Sequence, residues 1–412
     1  MGPTRKTARV SDVYYDPYDA TIDADPHPVW KRLRDEAPVY YNERHDFWAL
    51  SRYDDVLAGL LDWETFSSAR GIMLEMIDTD PERDPSMAID GIRPMVIMMD
   101  PPAHDRLRKL MSRTFTPRRV GLLEDRVREL CAEFLDPHRG GDTFDYMETC
   151  GSRIPGMIIG ALMGVPVEDQ DAVRVWIDTC MEYDDAGPDE RKLQAFVDVD
   201  RYMIDLVEAR RQNPGDDLVS DLLASEIELA GGGRSRLTND EVLGFAQLLL
   251  FAGNETTARL IGWAMLLLAR HPEQRRALVD DPTLVPNAIE ELLRYEAPSP
   301  IQGRFVTKDV TLHGVTIPAN SRIALLNASA DRDERYFERP DEFDVRRTID
   351  RHLAFGYGAH FCMGAALARI EGRLVLEETL TRFPEWQVDE SAMRLVRTST
   401  VRGPAYLPFR AR

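Results

Sequence analysis

A helical pattern begins at Asn239 and continues to about Arg270, where Pro272 helps to end it. At about 1.5 Å per residue this is roughly 45 Å, the length of a whole domain, so the remaining chain has to pack around it. Asn254, Glu255, Thr256, Thr257 and Arg259 interrupt its apolar stretch, Val242–Ala269, and charge at mid-span argues against a membrane helix. Apolar residues at three-to-four spacing predict further helices over His104–Phe115, Gly121–Phe134, Ser152–Met163, Glu190–Arg211, Leu218–Leu229 and about Met363–Phe383. Val39–Tyr41 and Phe47–Ser51 flank the polar segment NERHD and read as a hairpin, and Ile301–Val306, Thr311–Leu312 and Val315–Ile317 read as short strands around Gly314. The predicted class is mainly α with small β pieces.

Charge and cysteine usage narrow the function. Lys and Arg number 51 against 71 Asp and Glu, a formal charge of −20, whereas binding nucleic acid needs clustered positive charge. Four cysteines without a CxxC pair fit a reducing cytoplasm, and the first twenty residues lack the apolar core of a signal peptide.

One of those cysteines sits in an informative place. In Phe355-Gly-Tyr-Gly-Ala-His-Phe-Cys-Met-Gly364, Gly356 and Gly358 permit a tight turn and close approach to a flat partner. Cys362 then opens a helix, whose unpaired N–H groups and partial positive charge stabilise a thiolate and lower its pKa. Such a thiolate suits the axial position of haem iron. Other readings are an inert buried cysteine, a metal site shared with His360, and a nucleophile; the last two lack, respectively, further ligands nearby and a base paired with Cys362.

The loop resembles the haem-ligand signature of the cytochrome P450 family, F-G-x-G-x-H-x-C-x-G, at every specified position. The resemblance implies haem b (iron protoporphyrin IX) with Cys362 as proximal iron ligand, Phe355 near the sulfur, Gly358 at the turn and His360 on a haem propionate. Ala252-Gly-Asn-Glu-Thr-Thr257 resembles the family's A-G-x-[DE]-T-[TS], making Thr256 the oxygen-stabilising alcohol and Glu255 the acid of a proton relay. Gly253 removes a side chain there, so that the helix can widen and admit the oxygen ligand. Glu291 and Arg294 match the family's E-x-x-R pair, a structural brace under the haem. His104, Arg108 and Arg304 join His360 as propionate contacts, for which forked cationic donors are suited. The matches run in family order from about residue 20 onward and imply one cytochrome P450 domain over 1–412, with a β-rich lobe of about 30–70 plus C-terminal strands and a helical body of about 100–300 and 350–385.

The implied activity is a cytoplasmic, monomeric monooxygenase that spans no membrane. One atom of O2 enters a hydrophobic substrate and the other leaves as water. About 50 residues follow the cysteine and no G-x-G-x-x-G opens a βαβ unit, so electrons are expected from a separate ferredoxin and its NAD(P)H-dependent reductase. Arg106, Arg108, Lys109, Arg113, Arg118 and Arg119, with Arg369 and Arg373, are a candidate basic patch for an acidic carrier. Met73, Met76, Met87, Met95, Met98 and Met99 suggest a pliable apolar pocket for a lipid, terpenoid, steroid or polyketide. A peroxide-using haem enzyme and a non-catalytic haem sensor are the alternatives, and the Glu255–Thr256 pair counts against both.

Overall fold

The structure, a computed structural model, describes residues 12–80, 93, 95–111, 121, 123–181, 190–228, 233–396 and 398–411. The long helix spans Asn239–Arg270, as its pattern predicts. A capping box starts it: Thr238 Oγ1 accepts from the Glu241 N–H, and the Glu241 carboxylate accepts from the Thr238 N–H. Pro272 heads the next helix, Pro272–Asp280. Most of the long helix is buried, including nearly all of Ala258–Leu268.

Two helices fix its orientation. Arg153–Met163 packs alongside it, and Ala365–Arg382, which follows the cysteine, crosses between it and Glu124–Leu135. At Gly253 a methyl group would lie 2.9 Å from Ile159 of the first neighbour, so the missing side chain lets the two helices approach. The widened turn expected at Gly253 is not seen: the long helix is α-helical throughout, and the π turn lies at Met147–Gly151, against Gly262.

Strands near the N-terminus meet strands about 250 residues later in one sheet, ordered Val39–Asn42, Phe47–Leu50, Ser321–Leu325, Gln302–Val306, Phe66–Ser67. Ser321–Leu325 runs parallel to Phe47–Leu50, and the other pairings are antiparallel. A second sheet joins Trp386–Val388 and Pro408–Ala411 to Thr143–Asp145.

Most predicted elements appear within a few residues of their expected ends. The helix expected over Leu218–Leu229 instead stops at Ala224, because Ser225 adopts an extended backbone and Glu226–Glu228 pairs with Arg234–Arg236. The helix expected to reach Phe115 is described over Ala103–Met111, and its remainder lies outside the described residues. Among the described residues no single helix is long and apolar enough to cross a membrane.

Candidate active site

The cysteine loop is wound by its glycines. Gly356 and Gly358 have φ of 65° and 70°, left-handed values that suit residues without a Cβ. A methyl on Gly358 would also stand 2.9 Å from the Leu60 carbonyl oxygen. Across this turn the Cys362 N–H donates to the Phe355 carbonyl at 2.9 Å. Cys362 is exposed to the inner cavity of the protein, which Phe355, His360 and Leu367 also line. Burial raises the pKa of its thiol, opposed by the Gly364 and Ala365 N–H groups and by Arg108 and Arg369. The helix terminus and cations therefore act in the expected direction, but desolvation outweighs them and the net shift is upward, contrary to the lowered pKa read from the sequence.

Glu291 and Arg294 are fully buried and pair through two bonds of 2.7 and 2.9 Å. Arg294 also donates to the carbonyls of Asp331 at 3.0 Å and Pro340 at 2.8 Å, while Glu291 accepts from the Asp344 N–H at 2.9 Å. The Asp331 carboxyl in turn accepts from the Leu353 N–H at 2.7 Å, two residues before Phe355. A continuous series of bonds thus runs from the Val285–Tyr295 helix to the cysteine loop. Glu290 forms a second tie, holding Arg369 at 2.7 and 2.8 Å and His352 at 3.1 Å. Arg369 lies 4.6 Å over the Phe355 ring.

Four cation-forming side chains converge on the cavity: His104, Arg108, Arg304 and His360. The two imidazole rings are 4.5 Å apart, and the Nε2 of each is buried without a hydrogen-bond partner. Burial, with help from Arg304, His104 and Arg108, pushes His360 down to about 3. Arg304 is buried and donates to the Gly303 carbonyl at 2.7 Å; desolvation pushes it down to about 10, opposed by Asp100. Arg108 donates to the Phe361 carbonyl. Among the described residues no carboxylate lines the cavity with these groups. Two guanidinium groups beside imidazoles whose Nε2 atoms are buried and unpaired call for an anionic ligand. The two carboxylates of haem fit that need, and the cavity-facing Cys362 fits its iron.

The opposite wall is the long helix, where Ala252, Gly253, Thr256 and Thr257 line the cavity. The Thr256 hydroxyl donates to the Ala252 carbonyl at 3.1 Å. Glu255 does not reach the cavity; it is buried against Arg259, 3.2 Å away and four residues on in the same helix. Leu248, Leu249, Val96, Ile97, Ile159 and Leu293 make the remaining lining strongly apolar.

Seven of the eight cofactor-site candidates line the cavity; Gly358 shapes the turn behind it against Leu60, and Glu255 lies outside it. Sequence reasoning missed the ties of Glu290 and His352 and read Arg369 into a docking patch, because their partners are distant in sequence. Of the six methionines, Met87 lies outside the described residues and the other five do not line the cavity. In the basic patch, Arg106 pairs with Glu241, Arg369 with Glu290, and Arg373 with Glu124 and Glu377. Arg113, Arg118 and Arg119 lie outside the described residues.

Comparison with known proteins supplies independent findings. The family model for cytochrome P450 matches residues 180–282 and 277–402. Cytochrome P450 123 of Mycobacterium tuberculosis is 40% identical over 98% of both chains. The vitamin D(3) 25-hydroxylase of Pseudonocardia autotrophica is 38% identical over 96% of both. Cytochrome P450 CYP109Q5 from Chondromyces apiculatus superposes with a TM-score of 0.85 at 35% identity, covering 96% of this chain and 98% of that one.

Proposed function

Because the chain belongs to the cytochrome P450 family of haem-dependent monooxygenases, we propose that it oxidises a largely apolar small molecule of lipid, terpenoid, steroid or polyketide type. The reaction inserts one oxygen atom of O2 into the substrate and releases the other as water. Two electrons come from NAD(P)H through a separate reductase and ferredoxin, and two protons come from solvent.

The observation that carries this reading is the cavity itself. It faces Cys362 with Thr256, gathers Arg108 and Arg304 with two imidazoles on one side, and is otherwise lined mainly by apolar side chains with no carboxylate among the described residues. Cys362 would hold haem through its iron, and His104, Arg108, Arg304 and His360 would hold its carboxylates. When bound, haem supplies the iron that activates dioxygen. The apolar lining excludes water and favours a substrate that loses little on desolvation. Thr256 holds a hydroxyl on the cavity surface, where it can pass a proton inward while accepting another. Glu255 is the adjacent acid, stored one helix face away. The related vitamin D(3) hydroxylase makes a secosteroid a reasonable first compound to offer.

The test is turnover of the purified enzyme with a small ferredoxin, its reductase and NADPH, on vitamin D3 and a panel of apolar compounds. A hydroxylated product formed in step with NADPH oxidation supports the reading. Haem binding without NADPH-driven oxygen consumption under any donor would favour a sensor, and product from peroxide alone would favour the peroxide-using class.

A further inference from the structure

Ser299 and Gln302 line the cavity but have no part in holding haem or moving protons. Both are neutral and polar, in a lining made mainly of apolar side chains. Each is half-buried, whereas Pro298, Pro300, Ile301 and Gly303 around them are buried. What exposure the two retain is therefore to the cavity.

Their backbone is held from several sides. The Pro298 carbonyl accepts from the Arg402 N–H at 2.9 Å and the Pro300 carbonyl from the Ala328 N–H at 3.2 Å, which fixes the chain on either side of Ser299. Gln302 begins the strand Gln302–Val306 and pairs with Leu325. Behind it the Gly303 N–H donates to the Ile72 carbonyl at 2.8 Å. A methyl on Gly303 would lie 2.7 Å from that oxygen, so the strand closes on this loop only with a bare backbone. The Gln302 amide donates to the Ser299 hydroxyl oxygen at 2.9 Å, and among the described residues neither side chain has another bonded partner. A serine oxygen that accepts one bond keeps its O–H and a second lone pair, and the amide keeps its oxygen and a second N–H. Donors and an acceptor, uncharged and carried on fixed backbone, are thus left open to the cavity.

We propose that Ser299 and Gln302 form a hydrogen-bonding subsite for a neutral oxygen of the substrate, so that the compound oxidised here is an aliphatic alcohol or ketone and not a hydrocarbon or an acid. The inference rests on the monooxygenase reading above and narrows its substrate class. A hydroxyl can accept from the Ser299 O–H while donating to the Gln302 oxygen, and a ketone can accept from Ser299 and from the second amide N–H. A hydrocarbon lying over the pair would bury both groups with these bonds unmade, which costs free energy. A carboxylate would meet no free counter-ion, because Arg108 and Arg304 are the cations that suit the haem carboxylates. The apolar lining supplies burial without direction, and the pair supplies the direction.

The experiment is an optical titration of the full-length, haem-loaded enzyme, reading the spin-state shift of the haem on binding. The probes are matched sets in one cosolvent: androstanol, androstanone and androstane; cyclopentadecanol, cyclopentadecanone and cyclopentadecane; dodecanol, dodecanone and dodecane, with dodecanoic acid as the charged probe. In wild type the alcohol and the ketone are expected to bind at least as tightly as the hydrocarbon of their set, although the hydrocarbon gains more by leaving water. That affinity ratio is expected to fall several-fold in Ser299→Ala and in Gln302→Leu, and about tenfold in the double variant, the difference that a hydrogen bond or two makes. Dodecanoic acid is expected to bind more weakly than dodecanol.

A ratio unchanged in the double variant would overturn the subsite, as would tighter binding of dodecanoic acid than of dodecanol, or no spin-state shift with any alcohol or ketone. A Gln302→Leu protein that holds less haem yet keeps the preference would give that side chain to a haem carboxylate, and this too would overturn the inference. If Gln302→Leu does not fold, Ser299→Ala decides by the same ratio. Binding and turnover are read separately: wild type that prefers the alcohols but forms no product with ferredoxin, reductase and NADPH would overturn the monooxygenase reading instead.

Discussion

In the brace behind Cys362, charges are held by several partners: Arg294 alone donates to Glu291 and to the carbonyls of Asp331 and Pro340. On the Thr256 side, the polar groups have few partners and unfinished ones. Glu255 has Arg259 as its bonded partner, and Asn254 Oδ1 and Arg259 Nε are buried with none. The difference matches what each wall has to do. A wall that presents an iron ligand has to be held still, because a small displacement of the sulfur alters its bond. A wall that delivers protons needs side chains able to exchange partners during the reaction. Rigidity costs nothing on the first and would stop the chemistry on the second.

Substitutions that separate the two walls should therefore differ in kind as well as size. The largest effect is expected from Arg294→Leu. It leaves Glu291 charged and buried without its main partner, a loss of about 3–5 kcal/mol for a broken buried pair. The measurement is haem content of the purified protein with its thermal unfolding temperature, and both should fall steeply. Retention of full haem content would break the comparison, since the brace would then be dispensable.

Next in size is Thr256→Ala. Its hydroxyl has a single bond, to its own helix, so the fold should hardly notice. Peroxide released per NADPH should rise several-fold while the unfolding temperature stays near that of wild type. An unfolding temperature that drops as far as in Arg294→Leu would show that the far wall is structural too.

Smaller effects come from two acids within the brace, and their signs are opposite. Burial, against His352 and the Leu353 N–H, pushes Asp331 up to about 7, above an unfolded value of about 3.9. The folded state then binds the extra proton between these values, so stability falls as pH rises from about 4 to about 7. Asp331→Asn should raise the unfolding temperature by a few degrees near pH 8 and leave it unchanged near pH 4. For Glu290, burial favours the neutral form, but bonds from His352 and Arg369 win and hold it down at about 2. Its contribution is present above about pH 4.3 and is lost as pH falls towards 2. Glu290→Gln should accordingly flatten the acid limb of the stability curve, and an unaltered acid limb would remove Glu290 from the brace.

The sequence was most legible where chemistry is local. The Asn239–Arg270 helix has both ends written in its capping box and in Pro272. The cysteine loop could be read because its glycines, aromatic and thiol lie within ten residues. The Leu218–Leu229 pattern misled because Glu226–Glu228 exchanges helical periodicity for a pairing with Arg234–Arg236, a decision made by a neighbouring segment. The bonds that Asp331 and Glu290 make in the brace could not be read for a similar reason, since their partners lie 22 and 79 positions away. Glu255 shows a further limit. Its type and spacing were readable, but its direction depends on Arg259 being seated by Gly403 and Pro404, nearly 150 residues later.

The account stands on Cys362 holding haem as a thiolate. The direct measurement is the carbon monoxide difference spectrum of the reduced, purified protein. A strongly red-shifted Soret band, abolished in Cys362→Ala, is the predicted result. Haem that binds without that shift, or a shift that survives Cys362→Ala, would contradict it.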